Sequence, residues 1–284
     1  YTVGAGQNTS DLTVTAVNLN SATVTDGAGN AANLAGAVTN PAGTLQIDTT
    51  TPTVASVVAS GTGITAGSGD LNAGKTVTLT LNLSEAVTVA GGTPTLTLND
   101  GATATYSGGS GSNALTFSYT VGAGQNTSDL TVTAVNLNSA TVIDGAGNAA
   151  NLTGAVTNPA GTLQIDTTTP TVSSVVASGT GITAGSGDLN AGKTVTLTVN
   201  LSEAVTVAGG TPTLTLNDGG TATYSGGSGS NALTFAYTVG AGQNTSDLTV
   251  TAVNLNSATV ADGAGNAANL AGAVTAPAGT LQID

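Results

Sequence analysis

Apolar and polar residues alternate along several short stretches of the chain. The clearest is Lys75–Leu83, where valine and leucine occupy every second position from Val77 onward and threonine and asparagine fill the others. A period of two is typical of a β-strand with one buried face. By the same pattern we predict further strands at Thr53–Ser60, Thr95–Asn99, Ala102–Tyr106, Ala114–Val121, Leu130–Leu137 and Thr162–Ile165.

Clusters of Gly, Asn, Asp and Ser separate these stretches. Among them, Asn99-Asp100-Gly101 is a strong signal for a hairpin turn between two strands. No segment shows a sustained helical period. Seven short strands within about a hundred residues predict an all-β fold, a Greek-key β-sandwich of immunoglobulin type.

The chain repeats itself. The sequence that starts at Tyr1 recurs from Tyr119 and from Tyr237, a period of 118 residues (119 − 1). We therefore predict two complete sandwiches, joined head to tail in an extended array. Their bounds are 49–166 and 167–284, and 1–48 is the C-terminal part of a further repeat.

The seams between repeats are short. Each has the sequence Asp-Thr-Thr-Thr-Pro, at Asp48–Pro52 and at Asp166–Pro170. Proline restricts its own backbone and that of the residue before it, which favours a stiff connection. Because residues 1–48 lack half of the strands of a repeat, we expect them to belong to a longer array or to receive the missing strands from another chain.

The charge and the composition of the chain exclude several classes of partner. The 284 residues include fifteen acidic and two basic side chains, Lys75 and Lys193, and the net charge is −13. Phosphate contacts need cations, so we expect no nucleic acid partner, and anionic membrane surfaces are disfavoured for the same reason. No apolar run approaches the roughly 20 residues of a membrane-spanning helix, so we expect no membrane insertion.

Catalysis has few candidate side chains. The chain has no His, Cys, Trp, Met or Arg, and we predict that it is not an enzyme. Gly69–Thr76 does satisfy the phosphate-loop pattern G-x-x-x-x-G-K-[ST]. That mechanism needs a helix after the loop, whereas the following residues predict a strand, so we interpret the motif as a glycine-rich turn.

Four motifs occur in the first complete repeat and its seams and recur in the next repeat: Asp48-Thr-Thr-Thr-Pro-Thr-Val54, Leu83-Ser-Glu-Ala-Val87, Thr95-Leu-Thr-Leu-Asn-Asp-Gly101 and Asp144-Gly-Ala-Gly-Asn148. They resemble the bacterial immunoglobulin-like repeats of giant secreted adhesins and other repetitive surface proteins. The resemblance covers the whole chain. It implies an extracellular location at a bacterial cell surface and a role as the stalk of an adhesin, often stiffened by calcium at domain junctions.

The carboxylates give the candidate site. Tracing alternate strand directions places the linker, the Glu85 loop and the Asp144 loop at one pole of a repeat, with Asp70, Asp100, Asp129 and Asp166 at the other. Head-to-tail joining then brings acids of both poles to each seam, and crowded carboxylates favour a bound cation such as Ca²⁺. The predicted ligands are Asp48, Glu85 and Asp144 at one seam, and Asp166, Glu203 and Asp262 at the next, with Asn148, Asn266 and backbone carbonyls as helpers.

Two alternatives stay open for these acids. They are equally the kind of solvated residue that forms turns and keeps a protein soluble. In addition, if Ala140–Val142 formed a strand that reversed the chain, Asp144 would move to the opposite pole and the predicted site would fail.

Three functions remain open. The first is a stalk or spacer segment of a large adhesin, whose partners are neighbouring repeats of the same chain. The second is a subunit of a self-assembling fibre, sheath or surface layer, in which copies of the chain contact one another. The third is a carbohydrate- or ice-binding module built on the alternating threonines, which are more simply the outward face of strands.

Overall fold

The computed structural model describes all 284 residues and contains β-strands and three short 3-10 turns, Ala35–Ala37, Thr153–Ala155 and Ala271–Ala273. No helix of the chain has the length and apolarity needed to cross a lipid bilayer. The strands of residues 49–166 are β1 (Val54–Ser60), β2 (Gly69–Leu71), β3 (Thr76–Ala90), β4 (Thr95–Leu98), β5 (Thr103–Gly108), β6 (Ser112–Thr120), β7 (Val132–Asn136), β8 (Thr141–Ile143) and β9 (Leu163–Ile165). Those of residues 167–284 are β10 (Val172–Ser178), β11 (Gly187–Leu189), β12 (Thr194–Ala208), β13 (Thr213–Leu216), β14 (Thr221–Gly226), β15 (Ser230–Thr238), β16 (Val250–Asn254), β17 (Thr259–Ala261) and β18 (Leu281–Ile283).

Each complete repeat has the same sheet topology. The main sheet is antiparallel with the order β1-β3-β6-β5-β4-β7, and β8 pairs with β3 outside this path. Strands β2 and β9 form a separate short parallel pair. Strands β10 to β18 repeat this arrangement. The architecture is therefore all-β, with curled antiparallel sheets consistent with a β-sandwich.

The alternating residues point into the core as predicted. Val77, Leu79, Leu81 and Leu83 are buried, while Thr78 between them is partly exposed. The aromatic residues of the complete repeats also pack inward, and the rings of Tyr106 and Phe117 meet edge to face with centroids 5.8 Å apart. Each hydrophobic cluster draws its residues from one repeat only.

Strand β3 is longer than the alternation predicted. It runs for 15 residues, and its register against β6 shifts between Asn82 and Val87. Beyond the shift its last residues pair with β8 instead. Glu85 therefore lies within a strand, so the prediction of a Glu85 loop was wrong. The register shift interrupts the period of two, which is why Leu83-Ser-Glu-Ala-Val87 did not look like a strand.

Two three-residue strands were not among the seven predicted. They are β2, which reads Gly-Asp-Leu, and β8, which reads Thr-Val-Ile and was considered only as the alternative at Ala140–Val142. The phosphate-loop pattern starts in β2, passes through a turn and ends in β3. It has no helix, so its interpretation as a turn between strands agrees with the structure.

Residues 1–48 contain no strand. Two isolated antiparallel bridges join Thr9 to Ile47 and Thr25 to Ala31, and none of the 48 residues is buried. Local hydrogen bonds nevertheless match those of the complete copy. The Leu12 amide donates to Leu45 at 2.8 Å, as the Leu130 amide donates to Leu163 at 2.7 Å.

Candidate metal centres at the repeat seams

A five-residue loop holds one acid at each seam. In Asp144-Gly-Ala-Gly-Asn148 the Asp144 Oδ1 accepts hydrogen bonds from the Ala146 amide at 2.9 Å and the Asn148 amide at 2.8 Å. The short carboxylate thus closes a turn on its own backbone. Gly147 has φ +96°, a conformation that glycine adopts without steric cost. These contacts fix the direction of the Asp144 side chain.

The linker is tied to this loop. Asn148 Nδ2 donates to Asp144 Oδ2 at 2.8 Å and to the Asp48 carbonyl at 3.2 Å. Further along the linker, the Asn151 amide donates to the Pro52 carbonyl at 2.8 Å. The side-chain nitrogen of Asn148 therefore positions the cluster. Asn266 donates to Asp262 and Asp166 in the same way. A ligand role would fall to Oδ1 of each asparagine, so their predicted part as helping ligands stays a prediction.

The structure brings both predicted sets of acids together. One carboxylate oxygen from each of Asp48, Glu85 and Asp144 lies within 4.8 Å of the others, and Asp166, Glu203 and Asp262 form the second such group. We call these groups the first and the second seam triad. Asp144 and Asp262 are buried, and the remaining four are half-buried.

An extra strand before Asp144 does not move this residue to the opposite pole of the repeat. Residues 141–143 do form a strand, yet Asp144 still lies beside Asp48 and Glu85. The reason is that β8 pairs with the far half of β3, Thr88–Ala90. Because β8 runs antiparallel to the strand that carries Glu85, the chain direction reverses next to Glu85. Asp144, which follows β8, therefore lies at the same end of the repeat as Glu85.

The glutamates are electrostatically strained. Glu85 Oε1 and Glu203 Oε1 are buried oxygens without a hydrogen-bond partner. Burial, and then the charges of Asp166 and Asp262, raise the pKa of Glu203 above its ordinary value of 4.5. Burial and the charges of Asp48 and Asp144 do the same to the pKa of Glu85. A carboxylate that lacks both a donor and a cation costs free energy when ionised.

Asp144 behaves differently. Burial works to raise its pKa, but the hydrogen bonds from the Asn148 side chain and from the backbone of Asn148, Ala146 and Gly147 outweigh it, and the pKa falls below the ordinary value of 3.8. Asp144 is therefore held as an anion. In each triad the loop aspartate is held by hydrogen bonds, whereas the glutamate has a buried oxygen without a partner.

The preceding repeat adds two side chains at the second seam triad. A Cβ placed on Gly263 would lie 3.0 Å from Asp70 Oδ2, and one on Gly265 would lie 3.5 Å from Asn72 Nδ2. Asp70 Oδ1 and Asn72 Oδ1 are buried without partners. Burial, followed by the charges of Asp166 and Asp262, raises the pKa of Asp70. The expected meeting of acids from two repeats therefore occurs, but sequence reasoning left Asp70 and Asn72 out of the ligand set.

Two acids predicted for the same pole act within their own repeat. Asp100 accepts a hydrogen bond from the Tyr119 hydroxyl, and Asp129 Oδ1 accepts one from the Leu163 amide at 2.9 Å. The bond to Asp100, after the effect of burial, raises the pKa of Tyr119. These two aspartates are structural and do not belong to the seam.

The chemistry of the seams suits a hard cation. All available donors are oxygen atoms, which Ca²⁺ binds in sets of six to eight from flexible loops. Lys75 and Lys193 are exposed, and neither belongs to a triad. The unpartnered buried oxygens face groups of like charge, and a divalent cation would relieve both defects. The residues present therefore fit a calcium ion.

Comparison with known proteins gives no assignment. No family model matches the chain, and no curated protein matches it.

Proposed function

We propose that this chain is a non-enzymatic stalk segment of a large extracellular bacterial adhesin, in which Ca²⁺ at the seams holds immunoglobulin-like sandwiches in line. The observation that carries the proposal is the second seam. There, Asp70 and Asn72 of one repeat and Glu203 and Asp262 of the next converge on the linker residue Asp166. An ion bound by both repeats resists bending of the linker between them.

The strand order supports the Greek-key part of the proposal. Strands β4, β5 and β6 are neighbours joined by short connections, and β3 lies beside β6. Counted back from β6, the strands β6, β5 and β4 are three neighbours in sequence order, and the fourth strand, β3, lies beside the first of them. This order is the Greek-key pattern. The all-oxygen sites suit an environment outside the cell, where Ca²⁺ is plentiful.

The test is a calcium titration combined with small-angle X-ray scattering of the whole chain. We expect Ca²⁺ to bind and to lengthen the particle, and a chelator to reverse both effects. Asp70→Asn should weaken binding at the second seam by about tenfold or more, because ligand charge sets the affinity for Ca²⁺.

Asp188→Asn is the matched control for that variant. Asp188 occupies the same position in the second complete repeat as Asp70 in the first, but it is exposed and no triad lies beside it. Its substitution should leave binding unchanged. If the scattering curve and the melting temperature are the same with and without Ca²⁺, the calcium part of the proposal is wrong.

A second candidate function is that of a subunit of a self-assembling fibre, sheath or surface layer. An apolar groove of about 420 Å³ lies beside the edge strand β7, and a related groove recurs beside β16 in the next repeat. Leu137 and Val156 line the first groove and are exposed. Analytical ultracentrifugation separates the candidates: a monomer at high concentration supports the stalk, and polymers that require Leu137 support the fibre.

A further inference from the structure

The two complete repeats have separate hydrophobic cores. One core has 22 buried residues between Val57 and Ile165, and the other has 21 between Val175 and Ile283. Burial of apolar surface is the dominant favourable contribution to folding, and here it acts within each repeat. Coupling between the two folded repeats must therefore come from the polar contacts of the second seam.

The linker of this seam is fixed to the first complete repeat. The Asp166 amide donates to the Leu71 carbonyl at 3.0 Å, and the Thr167 amide donates to Asn126 Oδ1 at 2.7 Å. The Thr167 hydroxyl accepts a further hydrogen bond from the Gly124 amide at 3.0 Å. These contacts hold the start of the linker against the end of β2 and the loop after β6.

The other end of the linker is fixed to the second complete repeat. Asn266 Nδ2 donates to the Asp166 carbonyl at 2.9 Å, and the Asn269 amide donates to the Pro170 carbonyl at 2.8 Å. Only residues 168 and 169 lie between the contacts of Thr167 and those of Pro170, and proline restricts the backbone of the residue before it. The two repeats therefore have little freedom to move apart while these hydrogen bonds persist.

Charges of the same sign face each other across this seam. Asp70 of the first repeat lies against the turn that follows Asp262 in the second, since a Cβ on Gly263 would be 3.0 Å from Asp70 Oδ2. Asp70 Oδ1 is buried without a hydrogen-bond partner, and burial and then the charges of Asp166 and Asp262 oppose its ionisation. Like charges repel more strongly in such surroundings than in water.

We infer that the second seam couples the folding of the two complete repeats, and that a divalent cation reverses the sign of this coupling. Without a cation, each folded repeat destabilises its neighbour through the facing carboxylates. With Ca²⁺ bound, the ligands come from both repeats, so each folded repeat stabilises the other. The second half of the inference rests on the proposed function, whereas the first half needs no metal.

The reversal follows from the composition of the site. If the first repeat unfolds, the ion loses Asp70 and Asn72, and if the second unfolds, it loses Glu203 and Asp262. A site with fewer oxygen ligands binds Ca²⁺ more weakly. A ligand that binds best when both repeats are folded stabilises that state over those with one repeat unfolded.

Calcium should leave the stability of each core unchanged. In a linear array of repeats, stability is approximately the sum of an intrinsic contribution from each repeat and a contribution from each interface between neighbours. Here the intrinsic contribution comes from the two separate cores, and the interface contribution comes from the seam. The concentration of the cation therefore decides whether the repeats unfold singly or together.

Asp70→Asn in the full chain tests the coupling through its effect on the other repeat. Hydrogen exchange is followed in β15, whose core amides exchange when the second repeat unfolds. In chelator the variant should slow this exchange about two- to fivefold, because it removes a charge that faces Asp166 and Asp262. In saturating Ca²⁺ it should speed the same exchange by about tenfold, because the ion loses a ligand from the first repeat.

The two repeats can be told apart in this measurement by mass spectrometry. Peptides of β6 contain Ser118 where those of β15 contain Ala236, so their masses differ. Asp188→Asn is the matched control. In a polypeptide of residues 1–284, Asp188 is exposed and no triad lies beside it, so the substitution should leave exchange in β6 unchanged in chelator and in Ca²⁺.

Calorimetry of the unsubstituted chain provides a second measurement. Two similar repeats that unfold separately give a van't Hoff enthalpy of about half the calorimetric enthalpy, whereas repeats that unfold together bring the two values close to equality. We expect the ratio to rise when Ca²⁺ is added. Asp70→Asn should reduce that rise, and Asp188→Asn should not.

The outcomes separate this inference from the calcium proposal. If titration calorimetry shows Ca²⁺ binding but exchange in β15 is the same with and without Asp70→Asn, the coupling is refuted and the calcium proposal stands. If Ca²⁺ does not bind, the calcium proposal fails and the reversal fails with it. Slower exchange in β15 of the Asp70→Asn chain in chelator would still support the repulsive coupling, and unchanged exchange there would refute it.

Discussion

Residues 1–48 and 119–166 are nearly the same sequence in two surroundings. Both form the turn at Asp26 or Asp144, and both join Thr9 or Thr127 to an isoleucine 38 positions later (47 − 9). Only residues 119–166 form strands and bury their apolar side chains. The comparison teaches that local hydrogen bonds of this sequence need no core, whereas its strands require partners from residues 49–118.

The seams extend the comparison. Asp26 is exposed, and its pKa is lowered by hydrogen bonds from the side chain and backbone of Asn30. Asp144 keeps the same local contacts but becomes buried next to Glu85, which β3 supplies. The hydrogen bonds within the loop are enough to lower the pKa of its aspartate. The candidate metal site forms only when a second element brings further carboxylates.

The largest expected effect is on the core. Leu163→Ala should lower the free energy of unfolding of its repeat by about 2–5 kcal/mol, because it leaves a cavity in a packed interior. Leu45→Ala should change stability by less than about 0.5 kcal/mol, since its side chain is exposed. Urea denaturation of the full chain, followed by tyrosine fluorescence and hydrogen exchange, measures both. Equal effects at the two positions would contradict the comparison.

The effect of Glu203→Gln on the melting temperature should have opposite signs with and without calcium. Without metal the substitution removes an uncompensated charge, so the melting temperature of the adjoining repeat should rise. With Ca²⁺ the same substitution removes a ligand and should lower both the affinity, by about tenfold, and the gain in melting temperature. Calorimetry in chelator and in Ca²⁺ measures the two signs.

Glu85→Gln sharpens the contrast between seams. In a polypeptide of residues 1–284, no counterpart of Asp70 and Asn72 lies beside the first triad, so its affinity for Ca²⁺ should be lower than that of the second. Glu85→Gln should therefore remove the weaker of two calcium-binding steps. Two identical steps in the unsubstituted chain would show that Asp70 and Asn72 contribute nothing.

Tyr119→Phe should cost about 1–3 kcal/mol of stability, because it leaves Asp100 without its hydroxyl donor in a half-buried position. Tyr1 donates only to the exposed Gln7, at 2.8 Å, so Tyr1→Phe should have no measurable effect. Thermal unfolding of the two variants provides the comparison. A large effect of Tyr1→Phe would show that residues 1–48 are more ordered by side-chain contacts than their exposure indicates.

The smallest expected effect is a pH dependence in chelator. The pKa values of Glu85, Glu203 and Asp70 are raised in the folded chain, so folding favours their protonated forms and stability should increase slightly as pH falls from 7 toward the ordinary glutamate value of 4.5. Below the ordinary aspartate value of 3.8 the trend should reverse, because the pKa of Asp144 is lowered and its protonation costs stability. Melting temperatures across this range measure both slopes, and Glu203→Gln should flatten the first.

Sequence patterns predicted the long strands and the membership of both triads. Alternation identified β1 and β4 to β7 within a few residues, since each carries apolar residues at alternate positions and buries at least one of them. It failed where burial is not periodic: in three-residue strands such as β2, and across the register shift that places Glu85 inside β3. Asp70 and Asn72 were overlooked as ligands because their nearest neighbours in the seam, Gly263 and Gly265, are nearly two hundred positions away in the sequence.

The linker length also governs which halves can pair. Asp48 and Thr53 are five residues apart and can be separated by at most about 18 Å. If residues 1–48 folded back onto residues 49–118 of the same molecule, Asp48 would have to reach Leu71, at the opposite end of β1 from Thr53. The seven residues of β1 alone span about 23 Å. A tether this short prevents the two half-repeats that flank one linker from combining into a sandwich with each other.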